Sequence, residues 1–137
     1  MALATAAVFV WIGMVLAISF IEAPLKFRAP DVTLRIGLGI GRLVFRALNI
    51  AEVVLAVAVI VGLIIGSPTS AIVATAAVAI AALAIQIVGV RPALTRRSDR
   101  VLAGDESGAG SRVHLVYIGF EVAKFAALIA CGVLLLN

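Results

Sequence analysis

Ionisable side chains interrupt two otherwise apolar stretches of this sequence at helical spacing. Arg42, Arg46 and Asn49 are four and three positions apart, and Glu52 follows Asn49 by three; His114, Tyr117, Glu121 and Lys124 are three, four and three apart. On a helix each set falls along one face. A charge placed in hydrocarbon costs at least about 2.5–3.5 kcal/mol on insertion scales, so such residues point at one another or at a water-filled cavity. The chemistry open to them is ion pairing, proton relay or the binding of a charged headgroup.

Depth follows from the helical rise. At about 1.5 Å per residue, Glu52 lies roughly 15 Å beyond Arg42 and Glu121 roughly 14 Å beyond Arg112, which sets the two carboxylates at a similar level. Lys124 is then the natural counter-ion for Glu52, or for Glu121 three positions before it on its own helix. His114 and Tyr117 fall level with Arg42 and Arg46. Glu22, at the end of the first apolar run, is placed to pair with either arginine, and Gln86 to close the ring. Two accounts of this cluster stay open: interhelical bonds that only fix helix register, or a polar cavity for a proton, a cation or a ligand headgroup.

The elements that must position these residues are membrane helices. Of 137 residues, 64% are hydrophobic and 13% charged, and the mean hydropathy is +1.27, values outside the range of ordinary soluble domains. A spanning helix needs about 20 apolar residues, and four segments supply that length, near residues 2–23, 38–65, 71–90 and 113–136. The expected fold class is therefore all-α: a polytopic membrane protein formed as a single four-transmembrane-helix bundle. Pro24 and Pro30 bracket an expected turn or interfacial elbow. Gly66 to Ser70 reads as a tight uncharged turn, and residues 91–112 as a short amphipathic piece followed by a flexible linker.

The net charge of +4 is distributed unevenly. Apart from Lys124, every Lys and Arg lies between Lys26 and Arg46 or between Arg91 and Arg112. By the positive-inside rule the loops at 24–37 and 91–112 are cytoplasmic, both termini and the 66–70 turn face outward, and the basic loops meet anionic lipid headgroups. That clustering, with no basic face on a soluble element, argues against a nucleic-acid partner. Small residues recur four apart at Gly13 and Ala17, Gly37 and Gly41, Ala77 and Ala81, and Ala123 and Ala127, which lets helix backbones approach closely. A faint repeat relates the halves, since Pro24 precedes Glu52 by 28 positions and Pro92 precedes Glu121 by 29.

Several enzyme classes lack their residues. The single cysteine, Cys131, permits no intramolecular disulfide and no redox pair. One histidine and one distant cysteine cannot supply the three protein ligands of a catalytic zinc, and a bis-histidine haem would need a second subunit. No phosphate loop, H-E-x-x-H or G-x-S-x-G is present. Neither an enzymatic activity nor a cofactor is expected.

The runs Ser19-Phe-Ile-Glu-Ala-Pro-Leu-Lys-Phe-Arg-Ala-Pro30, Gly41-Arg-Leu-Val-Phe-Arg-Ala-Leu-Asn49 and His114-Leu-Val-Tyr-Ile-Gly-Phe-Glu-Val-Ala-Lys124 resemble a group of small, uncharacterised bacterial four-helix membrane proteins. The resemblance spans nearly the whole chain and adds weight to Glu22, Arg42, Asn49, His114, Glu121 and Lys124 without implying an activity. In size and helix number the chain is also similar to small multidrug transporters, but it shares none of their motifs. The short loops point to a non-enzymatic subunit of a larger inner-membrane transport assembly. The alternative is a small homo-oligomeric, proton- or ion-coupled carrier or ligand-binding protein with Glu52, Glu121 and Lys124 as coupling residues.

Overall fold

The computed structural model describes residues 1–104 and 111–137. Over these the chain forms four long helices, each long and apolar enough to cross a membrane: α1 (Ala2–Arg28), α2 (Leu34–Ile65), α3 (Ser70–Leu102) and α4 (Ser111–Leu136). The linker expected after α3 lies mainly outside the described residues.

Local chemistry sets the helix ends. Ala29, which precedes Pro30, is extended (φ −67°, ψ 140°), as the proline ring requires of its neighbour. The chain then reverses through Asp31 at φ 63°. The Thr33 hydroxyl caps α2 by accepting from the Ile36 amide at 3.2 Å, and Thr69 does the same for α3 through the Ile72 amide at 3.4 Å; each relieves one of the unpaired amides of a first helical turn.

Two prolines behave differently from the sequence-based expectation. Pro24 and Pro92 do not end their helices. Each sits just past a wide π-helical stretch, Leu16–Glu22 in α1 and Gln86–Val90 in α3. A proline ring clashes with the carbonyl four residues back and offers no amide to it. The wider π turn moves that carbonyl onto a later amide, as in the Ala23 amide that donates to the Ile18 carbonyl and the Arg91 amide that donates to the Gln86 carbonyl. Arg91–Leu102 consequently continues α3 as the short amphipathic piece expected there.

The helices alternate in direction, so both termini and the 66–69 turn share one end, and the ends rich in arginine share the other. Gly62 of α2 lies beside Ala4 of α1, and Gly37 near the start of α2 lies beside Phe27 at the end of α1. α1 packs along α2 and α4, and α4 along α3; of the neighbouring pairs α2 and α3 meet least. The apolar core fills the half of the bundle next to the termini, where Val8, Trp11 and Val15 pack with Val59, Ala76, Ala79, Leu83, Leu128 and Cys131. Large apolar side chains cover the outside, Leu43 at 73%, Ile65 at 77% and Val88 at 78% exposed. That distribution suits lipid and not water.

Of the small-residue pairs, Gly37 and Gly41 receive the side chains of Phe27 and Lys26. Ala77, Ala81 and Ala123 are exposed; the buried alanines of α3 are Ala76, Ala79 and Ala82. The register is set by the polar residues, because the face that turns Gln86 inward carries those three alanines with it.

The closest backbone approach is at Gly62, where an added Cβ would stand 2.6 Å from the Ala4 nitrogen. Gly62→Leu is expected to lower stability by about 1–3 kcal/mol, the usual range for overpacking, read by thermal unfolding in detergent. Gly119→Ala, where an added Cβ meets nothing within 4 Å, should leave the transition in place.

Candidate functional site

Lys124 is the hub of a buried cluster to which all four helices contribute. Its Nζ donates to Glu52 of α2, with which it forms an ion pair. It also donates to Gln86 Oε1 of α3 at 3.0 Å, and it lies 3.1 Å from Glu121 Oε2 one turn earlier on α4. An ammonium has three N–H donors, and here each has an acceptor. Trp11 Nε1 of α1 donates to Glu52 Oε1 at 2.9 Å. Gln86 Nε2 donates to Glu121 Oε2 at 2.6 Å, and Ser19 Oγ of α1 donates to Glu121 Oε1 at 2.7 Å. Glu52, Glu121, Gln86 and Lys124 are each at most 2% exposed.

The two π turns carry polar donors into this cluster. Ser19 lies in the first and Gln86 in the second, five and six residues before their prolines. A π turn shifts the residues within it around the helix axis, and such turns recur at functional sites. In this fold both deliver a donor to the same carboxylate, Glu121. The correspondence between the halves of the sequence thus resides in a proline and a π turn, with few matching side chains.

The formal charges of the cluster do not cancel. Glu52 and Glu121 against Lys124 leave one negative charge in excess, and Trp11, Ser19 and Gln86 are neutral donors.

Toward the arginine-rich end the packing opens into a cavity of about 610 Å³, within the roughly 300–1,000 Å³ range of small-molecule sites. Glu121, Ser19 and Tyr117 line it, with Lys26, Arg42, Arg91, Arg97 and His114 as its other ionisable groups; Phe20, Phe27, Phe45, Leu38, Leu94 and Ile118 give it apolar walls. Tyr117 packs edge-on to Phe45 at 5.8 Å between ring centroids. Lys26 Nζ and the Arg91 guanidinium stand 5.4 and 5.1 Å from the centroid of that same ring. With the Asn49 amide oriented to satisfy its neighbours, its oxygen accepts from Arg91 Nε at 2.9 Å and from Nη2 at 3.3 Å. Glu52 and Lys124 lie behind Glu121 and do not line the cavity.

The residues singled out by spacing therefore separate into layers. Glu52, Glu121 and Lys124 form the buried centre. Asn49 belongs to the layer between centre and cavity, and Tyr117 lines the cavity beside Glu121. Arg42 and His114 line the cavity farther out; Arg42 is ion-paired with Asp99 and donates to the Thr95 carbonyl at 3.3 Å. Glu22 does not reach an arginine, and its carboxylate lies 3.4 Å from Lys26 Nζ, one turn along α1. Arg46 is exposed and does not line the cavity, because its position on α2 falls to the outer side of the Arg42–Asn49 line. Trp11 and Ser19 escaped the sequence reading; each carries a single polar group in an apolar run, which leaves no periodic signal.

Among the described residues no group of three His, Cys, Asp or Glu side chains converges as metal ligands. The chain matches no protein-family model, and no curated protein and no solved structure is significantly similar to it.

Proposed function

We propose that this chain is a small membrane carrier or ligand-binding protein in which cavity occupancy is coupled to proton exchange at the Glu52–Lys124–Glu121 cluster. The observation that supports this reading is the continuity between cavity and cluster: Glu121 lines the cavity and shares Lys124 with Glu52. A cluster that served register alone gains nothing from a roomy, cation-lined approach. Its excess negative charge is the species that a proton neutralises, and intramembrane carboxylates in such positions are the usual stations of proton pathways.

Glu121 is the residue at which proton and ligand meet. Ser19 from α1, Gln86 from α3 and Lys124 from its own helix hold its two oxygens, and Tyr117 and Arg91 stand with it along the cavity wall. Beyond the cluster, the core of alanine, valine, leucine and Trp11 closes the other half of the bundle. In an inner membrane, with the arginine-rich end cytoplasmic by the positive-inside rule, the cavity is a cytoplasmic vestibule. Carriage across the membrane then requires the far half to open in turn, within one chain or a homo-oligomer.

Trp11 is the chain's only tryptophan and reports on the cluster directly through its bond to Glu52. Its emission in the reconstituted protein is expected to shift in Glu121→Gln, and that variant should lose the proton movement that wild-type proteoliposomes report through a trapped pH dye. Absence of proton movement through well-folded wild-type protein would overturn proton coupling.

A second reading, a subunit of a larger transport assembly, is favoured by Gly13, Gly39, Gly89 and Gly119, where an added Cβ would meet nothing within 4 Å. Such open positions leave room for a helix of another chain. Native mass spectrometry of protein extracted gently from its own membrane separates the two: a bare monomer or homodimer sinks the subunit reading, and discrete added protein masses support it.

A further inference from the structure

The cavity wall carries an imbalance that the proton reading leaves unused. Lys26, Arg42, Arg91 and Arg97 face it against one carboxylate, Glu121. Lys26 and Arg42 have acidic partners in Glu22 and Asp99, and neither of those acids lines the cavity. Arg91 is the sharper case. It is half-buried, the partner of its guanidinium is the neutral Asn49 amide, and among the described residues no carboxylate lies within ion-pair distance of it. Charges at membrane depth ordinarily pair with one another. Here Arg91 approaches the Phe45 ring at 5.1 Å, with Glu52 and Glu121 acting on it from beyond ion-pair distance, and Lys26, paired with Glu22, approaches the same ring at 5.4 Å. An anion beside Arg91 supplies the close partner it lacks, and a guanidinium fork suits the paired oxygens of a carboxylate or phosphate.

Much of the rest of the wall is hydrocarbon, with Ser19, Thr95, Ser98, His114 and Tyr117 as its other polar side chains. Phe20, Phe27, Leu38, Leu94 and Ile118 offer nothing to a fully hydrated ion but bury an alkyl chain favourably.

We propose that the cavity binds an amphiphile with one anionic head and a hydrocarbon chain, the head held by Arg91 and Lys26 beside Phe45 and the chain lying against Phe27, Leu38 and Leu94. This deepens the carrier reading and rests on the cavity being its ligand site. The head chemistry is shared by a membrane lipid, a fatty acid and a free water-soluble anion; the apolar wall selects those with a chain.

The test uses the full chain in phosphatidylcholine nanodiscs, with energy transfer from Trp11 to a dansyl-labelled undecanoate as the signal. Saturable transfer is expected, displaced by dodecyl phosphate and by neither dodecyltrimethylammonium nor millimolar inorganic phosphate. Arg91→Gln should weaken displacement by dodecyl phosphate at least tenfold and erase the preference for it over dodecyltrimethylammonium. That preference is a ratio measured on folded protein, so partial misfolding does not move it. Arg91→Lys should keep the preference, and Arg35→Gln, exposed and away from the cavity, should leave both values unchanged. Equal displacement by the cationic amphiphile overturns the proposal. Displacement by inorganic phosphate as effective as by dodecyl phosphate also overturns it, leaving a small soluble anion as the ligand. The two proposals fail separately: anion-selective transfer without proton movement in proteoliposomes removes proton coupling alone, and proton movement without saturable transfer removes the amphiphile alone.

Discussion

Lys124→Met is expected to cost about 3–5 kcal/mol of stability at neutral pH, the range for breaking a buried ion pair by removing one partner. The size follows from what stays behind. Without the ammonium, Glu52 and Glu121 face each other across its vacated space, both almost fully buried, with only Trp11, Ser19 and Gln86 as donors. Removing the charges together costs far less than removing one, since a buried ion pair replaced by neutral groups of similar volume is often neutral to stability. The triple variant Lys124→Met, Glu52→Gln, Glu121→Gln should therefore recover most of the loss. Thermal unfolding in one detergent decides it: a single variant that unfolds with the wild type would mean that Lys124 and its partners are solvated and carry little of the fold.

What could be read from the sequence was what leaves a periodic mark. The four apolar stretches, the shared face of Glu121 and Lys124, and Lys124 as counter-ion to Glu52 or Glu121 all follow from a 3.6-residue period and the cost of charge in hydrocarbon. Three features leave no such mark. Pro24 and Pro92 suggest helix ends because proline usually ends helices; the π turns that carry each helix past its proline are a backbone choice settled by packing. Trp11 and Ser19 read as membrane-helix residues because each hides one polar atom in an apolar run. Arg46 fits the stripe by spacing, yet the long α2 turns it outward, where an arginine reaches a headgroup layer without a partner. The cavity belongs to none of these levels, since it exists only where side chains of all four helices leave space beside Phe45 and Glu121.

The two carboxylates are expected to differ in kind when neutralised one at a time. Glu121 lines the cavity and Glu52 stands behind it, so a ligand-linked proton has its exchange point at Glu121, while Glu52 holds Lys124 and Trp11 in place. In proteoliposomes that report internal pH with a trapped dye, Glu121→Gln should abolish any proton movement driven by dodecyl phosphate, and it should also lower stability by about 1–3 kcal/mol, because one amide oxygen replaces two carboxylate oxygens that serve Ser19, Gln86 and Lys124. Glu52→Gln removes half of the charge around Lys124 and loosens the bond from Trp11. It should lower stability by about 1–3 kcal/mol, as expected when a buried donor loses its charged acceptor, while leaving a reduced but measurable proton movement. The reverse pattern, with Glu52 essential and Glu121 dispensable, would place the proton on the far side of Lys124 from the cavity and break the link between cavity and cluster. Loss of stability in both variants, with no proton movement in the wild type, would return the cluster to the role of a register lock, with Lys124 as the pin through all four helices.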